Sequence, residues 1–174
     1  MPTFLAGLPL HPLVVHAVVV LVPLAVLGAV LVVAWPAARH RFGWLAVTVA
    51  AAATVSIPIA TSTGEALRDR LAPDPLIATH AELGDQLLVI VAPMTVVLAG
   101  FVFLTRRSRR AEGPGAMVNA RPRWTRPATV ALAVVAVALA AASAVQVVRI
   151  GDSGARAVWH DTHYVPPTQH GDDD

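Results

Sequence analysis

The sequence contains no cysteine and no lysine, and charged residues make up only 14% of its 174 positions. The lack of cysteine excludes disulfides, c-type haem attachment, iron–sulfur clusters and thiolate nucleophiles. A soluble domain carries about 25% charged residues, so a soluble globular fold is not expected. The formal net charge of +2 gives no reason to expect a nucleic-acid partner.

Long hydrophobic runs take the place of charge, and 56% of the residues are hydrophobic. Four runs are evident, at about 13–35, 42–61, 84–104 and 127–148. Each is close to the roughly 20 apolar residues that the core of a bilayer requires. None has a charged side chain in its central part. The sequence therefore predicts an all-α fold, a polytopic membrane four-helix bundle forming a single domain, with the lipid bilayer as its first partner.

Arginine is distributed unequally between the segments that join these spans. The loop between the first two spans and the loop at 105–126 together hold nine arginines and one acid, Glu112, a net charge of +8. The N-terminus, the loop at 62–83 and the tail at 149–174, together with Asp85 at the very start of the third span, hold four arginines and ten acids, a net charge of −6. Arginine-rich short loops stay in the cytoplasm, so both termini are expected outside.

Six of the seven histidines fall on the expected outer side, and His16 and His80 lie near the outer ends of the first and third spans. Facing helices of a four-helix bundle bring such positions to a similar depth. Two imidazoles at one depth are what a b-type haem needs as axial ligands. His11 projects about 140° away from His16 on a helix, so it would not share a ligand position with His16 but could orient a propionate or bind another group. We therefore expect His16 and His80 to hold haem b, with His11 as a further cofactor-binding residue.

Other interpretations are open at this point. The tail contains His160 and His163, and imidazoles with the adjoining carboxylates suit Zn²⁺, Ni²⁺ or Cu²⁺. A divalent-metal site would combine these two residues with His16 and His80, and a solvated acidic tail without a ligand is the simpler alternative. The alanine-rich fourth span suits helix docking, as in an accessory subunit of a larger membrane complex or in a homo-oligomer. Nothing in the sequence favours an enzyme, since it has no nucleophile elbow, no His-Glu-x-x-His motif and no carboxylate pair inside the spans.

The segment His11-Pro12-Leu13-Val14-Val15-His16 resembles the opening of a bacterial family of four-helix membrane proteins of unknown function. In that family the third helix begins with a histidine, which His80 matches. The closing family segment is similar to residues 151–159 here, although Asp152 stands where a histidine is common. The resemblance covers about residues 7–160 and implies four helices in a bacterial plasma membrane. It singles out His11, His16 and His80 but implies no reaction.

Overall fold

Four long helices make up nearly all of the part of the chain that the computed structural model describes, residues 4–5, 8–110 and 125–160. They are α1 (Leu10–Ala34), α2 (Pro36–Arg68), α3 (Pro75–Arg110) and α4 (Thr125–Trp159). A short antiparallel pair, β1 (Phe4–Leu5) and β2 (Leu8–Pro9), precedes them. Each helix is long and apolar enough to cross a membrane, and each contains nearly all of one predicted span. The predicted all-α membrane bundle is confirmed.

The helices form an antiparallel ring in which α1 packs on α2, α2 on α3, α3 on α4 and α4 on α1. Small residues set the closest approaches. A Cβ added to Gly28 of α1 would lie 3.2 Å from the Cβ of Ala46 in α2. One added to Gly43 of α2 would lie 3.1 Å from Cγ1 of Val102 in α3. The core between the helices is apolar, and its largest fully buried side chains are Phe101, Ile57, Met94 and Leu98.

The ring has two chemically different ends. At one end, α1 and α3 begin and α2 and α4 finish; we call it the histidine end, because His11, His16, His80 and His160 lie there. At the other, the arginine end, Trp35 alone joins α1 to α2. The described parts of both predicted cytoplasmic loops lie at the arginine end, so the structure places the two arginine-rich segments together.

Arg39 completes the C-terminus of α1 at the arginine end. Pro36 has no N–H, so the Val32 carbonyl lacks its helical donor. Arg39 supplies one, donating from Nε to the Val32 oxygen at 2.9 Å and from Nη2 to the Val33 oxygen at 2.7 Å. Its guanidinium lies 4.5 Å from the centroid of the Phe101 ring. One side chain therefore joins α1, α2 and α3.

Replacing Arg39 with methionine is expected to lower the free energy of unfolding by about 2 kcal/mol, because charge-assisted hydrogen bonds to buried carbonyls are lost. Chemical unfolding in mixed micelles measures this change. Arg41→Met is the matched control, since Arg41 is exposed and its guanidinium lies farther, at 5.6 Å, from the nearest ring centroid. Equal destabilisation by the two variants would contradict the capping role.

Two features define the junction between α2 and α3. The Oδ1 of Asp74 accepts the Leu76 N–H at 2.7 Å and so caps the start of α3. At the other side of the junction, α2 continues without a break through Gly64 to Arg68. The hydroxyls of Ser62 and Thr63 bond carbonyls of their own helix, so they do not interrupt it.

Candidate functional site

His11 lies in the first turn of α1 and is held against the last turns of α2. Its Nδ1 is 3.1 Å from the Ala60 carbonyl oxygen and 3.4 Å from Oγ1 of Thr63, and the ring is half-buried. A carbonyl oxygen only accepts, so Nδ1 must carry the proton. The tautomer is thereby fixed, and Nε2 keeps its lone pair.

His80 repeats this arrangement between α3 and α4. Its Nδ1 is 3.1 Å from the Ile150 carbonyl oxygen and 3.1 Å from Oγ of Ser153. The Ser153 hydroxyl donates to the Ile150 oxygen at 2.9 Å and can accept from the ring. The Nδ1 of His80 is again the protonated nitrogen, and within the described residues Nε2 has no hydrogen-bond partner in either histidine.

A glycine lies beneath each imidazole. A Cβ added to Gly64 would come within 2.9 Å of Cε1 of His11, and one added to Gly154 would come within 3.0 Å of Cε1 of His80. Real Cβ contacts are rarely so short, so both rings occupy space that only glycine leaves open. Each imidazole thus rests on a carbonyl, a hydroxyl and a glycine of the neighbouring helix.

We call the carbonyl, hydroxyl and glycine that hold one imidazole a cradle. The two cradles are equivalent because the bundle is built from two similar hairpins, α1–α2 and α3–α4. Positions in α1 correspond to positions 69 residues later in α3, and His11 corresponds to His80 in this way. The buried pairs at this spacing are Val18 and Leu87, Val22 and Val91, Ala25 and Met94, Ala29 and Leu98, and Val32 and Phe101. The spacing between α2 and α4 is 90 residues. It relates Ala60 to Ile150, Thr63 to Ser153, Gly64 to Gly154, and the buried Ala46, Ala50 and Ala53 to Ala136, Ala140 and Ser143.

Both imidazoles lie at the histidine end of the bundle, one in each hairpin. We call these two residues, with the carbonyls, hydroxyls and glycines that hold them, the histidine site.

The other histidines named by the sequence lie elsewhere. His16 is exposed on α1, and its Nδ1 is 2.5 Å from the Pro12 carbonyl oxygen of the same helix. His80 therefore has the same kind of surroundings as His11, whereas His16 does not. His160 is exposed at the end of α4, and His163 lies outside the described residues. Among the described residues, no group of three or more histidine, aspartate or glutamate side chains is placed to hold a metal ion.

Thr63, Gly64, Ser153 and Gly154 were not singled out by the sequence, although a signal was present. A hydroxyl residue followed by glycine, Thr63-Gly64 and Ser153-Gly154, occurs near the end of the second and of the fourth helix. Each cradle therefore corresponds to one sequence pattern, a histidine at the start of one helix and this dipeptide near the end of the next.

The arrangement agrees with what the comparisons with known proteins found. Residues 7–167 match the family described as "Predicted membrane protein (DUF2231)". The chain belongs to this family. The match spans both hairpins and every residue of the histidine site. No curated protein and no solved structure matches the chain.

Each imidazole of the histidine site is anchored as metal-ligating histidines usually are. Histidines that ligate iron or zinc usually donate their other ring N–H to a carbonyl, carboxylate or water, which orients the ring and makes the ligating nitrogen more basic. His11 and His80 both have this anchor. A b-type haem takes two axial ligands and needs no cysteine, whereas a closed zinc site takes four protein ligands.

Proposed function

We propose that this member of the family is a redox-linked membrane component that binds b-type haem through His11 and His80 near the histidine end of the bundle. One observation carries the proposal: both imidazoles are anchored through Nδ1 to a backbone carbonyl, which leaves Nε2 of each as a ligand. Haem b, when bound, supplies reversible one-electron chemistry.

Different groups of the chain would have different roles in holding such a cofactor. Nε2 of His11 and of His80 would ligate the iron, one from each hairpin. The Ala60 and Ile150 carbonyls hold the tautomer and the ring orientation. Thr63 and Ser153 add a hydroxyl beside each Nδ1, at 3.4 Å and 3.1 Å. The sequence led us to expect His16 in place of His11. His16 also bonds a carbonyl through Nδ1, but that carbonyl belongs to its own helix and the ring is exposed, whereas His11 is half-buried against α2, which favours His11.

The absorption spectrum of the full chain tests the proposal. Protein expressed with added haem and purified in detergent is expected to show a Soret band and the split visible bands of a low-spin, six-coordinate haem. The pyridine haemochrome assay should give one haem per chain.

A folded, helical protein that lacks a Soret band despite ample haem would overturn the proposal. Elemental analysis separates the alternative of a divalent-metal site. If the purified protein contained stoichiometric zinc, nickel or copper and no iron, the bound group would be that metal rather than haem. Deleting residues 161–174 would then show whether the tail contributes ligands.

A further inference from the structure

Beside the histidine site, α3 and α4 line a groove of about 250 Å³ at the histidine end, and Ser153, whose hydroxyl lies against His80, forms part of its wall. Leu76 and Leu83 of α3 supply apolar walls. Arg149, Asp152 and Arg156 of α4 supply the charge. Apolar walls beside guanidinium groups suit a ligand that has both a hydrocarbon part and an anionic part.

The charges of the groove do not cancel. Arg156 and Asp152 form an ion pair at 2.9 Å, with both side chains largely exposed. Arg149 is also exposed, and within the described residues it has neither an ion pair nor a hydrogen bond. The groove therefore carries one uncompensated positive charge. A ligand with a single negative charge complements it.

The groove lies at the depth of lipid headgroups. The apolar run of the fourth span finishes at Val148 and that of the third begins at Gly84, so Arg149 and Leu83 mark the edge of the hydrocarbon core. With a rise of about 1.5 Å per residue, Arg156 lies about 10 Å beyond Arg149 along α4. The headgroup region extends about 5–8 Å beyond the core on each side, so the charged part of the groove spans it.

We propose that the α3–α4 groove binds the headgroup of one anionic glycerophospholipid. The phosphodiester lies between the guanidinium groups of Arg149 and Arg156, and an acyl chain descends along Leu83. Arginine suits this role, because its planar fork of N–H donors matches phosphate oxygens. Asp152 limits the net charge to +1, which matches a phosphatidylglycerol headgroup. The groove adjoins the histidine site at Ser153, but the two arginines that bind the phosphodiester are not part of the histidine site, and lipid binding does not depend on a bound haem.

Native mass spectrometry of the full chain, released from micelles that contain phosphatidylglycerol and phosphatidylcholine, tests the proposal. One phosphatidylglycerol molecule should be retained preferentially. Arg149→Gln should weaken its retention about tenfold, as expected for one charge-assisted contact. Asp152→Asn should strengthen it, because the local charge rises to +2. The matched control is Arg68→Gln, which removes the same charge from an exposed position at the same end.

Three outcomes would overturn the proposal. The first is retention of phosphatidylcholine equal to that of phosphatidylglycerol. The second is an equal loss of phosphatidylglycerol retention in Arg149→Gln and Arg68→Gln. The third is displacement of the lipid by inorganic phosphate, which would make the groove a site for free phosphate. Thermal unfolding of each variant shows that retention is compared between folded proteins. Arg149→Gln is expected to unfold like the wild type, since Arg149 makes no polar contact in the described structure.

Discussion

Replacing either His11 or His80 with alanine is expected to abolish the low-spin haem spectrum, and replacing His16 should leave it intact. If His11 and His80 hold haem as proposed, each of the first two changes removes one ligand of the iron. The iron would then become five-coordinate and high-spin, or the haem would be lost during purification. The Soret position and the electron paramagnetic resonance spectrum of the oxidised protein distinguish these states. The two variants should behave alike, because the two histidines occupy equivalent positions in the two hairpins.

His16→Ala is a close control, since it makes the same chemical change five residues away on the same helix. The side chain of His16 is exposed and bonds only the Pro12 carbonyl of its own helix in the described structure. Added imidazole should restore the low-spin spectrum of His11→Ala and His80→Ala if these lack only a ligand. Loss of the spectrum in His16→Ala, with His11→Ala unaffected, would return the ligand role to His16.

The sequence predicted the architecture because few physical constraints determine it. A bilayer requires about 20 apolar residues in each spanning helix, and four runs of that length meet the requirement. The structure adds what the length of a run cannot specify, such as the continuation of α2 through Gly64 to Arg68. That continuation places Gly64 on the helix that holds His11.

Which side of α1 packs against the other helices was harder to predict. A helix that is apolar on all sides has no polar face to mark its exposed side, so periodicity could not decide between His11 and His16. Packing decides it: His11 falls on the same side as Val18 and Ala25, seven and fourteen residues later, both of which are buried.

The similarity of the two hairpins was not recognised from the sequence for a related reason. Corresponding buried positions of the two hairpins often carry different side chains, as with Ala25 and Met94 or Ala29 and Leu98, although Val22 and Val91 are alike. In an apolar bundle many residues of suitable volume satisfy one buried position. What the hairpins share in chemistry is confined to the cradles, where a hydrogen-bonded imidazole demands a carbonyl, a hydroxyl and a glycine.

Adding a single methyl group beneath an imidazole is expected to disrupt the histidine site. Gly154→Ala places a Cβ 3.0 Å from Cε1 of His80, so the ring must move away from the Ile150 carbonyl. Overpacking of this kind typically costs about 1–3 kcal/mol. Unfolding in mixed micelles measures that loss, and the absorption spectrum reports whether the haem remains low-spin. Gly64→Ala should have at least as large an effect, because the corresponding distance to His11 is 2.9 Å.

Gly151→Ala provides the matched control on the same helix, one turn before Gly154. A Cβ there meets no atom within 4 Å. Alanine is the better helix former, so this variant should gain about 0.5–1 kcal/mol of stability and keep its spectrum. Opposite signs for two glycine-to-alanine changes three residues apart would locate the effect in the contact with His80 rather than in the helix. If both variants gained stability and kept a low-spin haem, the rings could not be resting on these glycines, and the histidine site as described would be wrong.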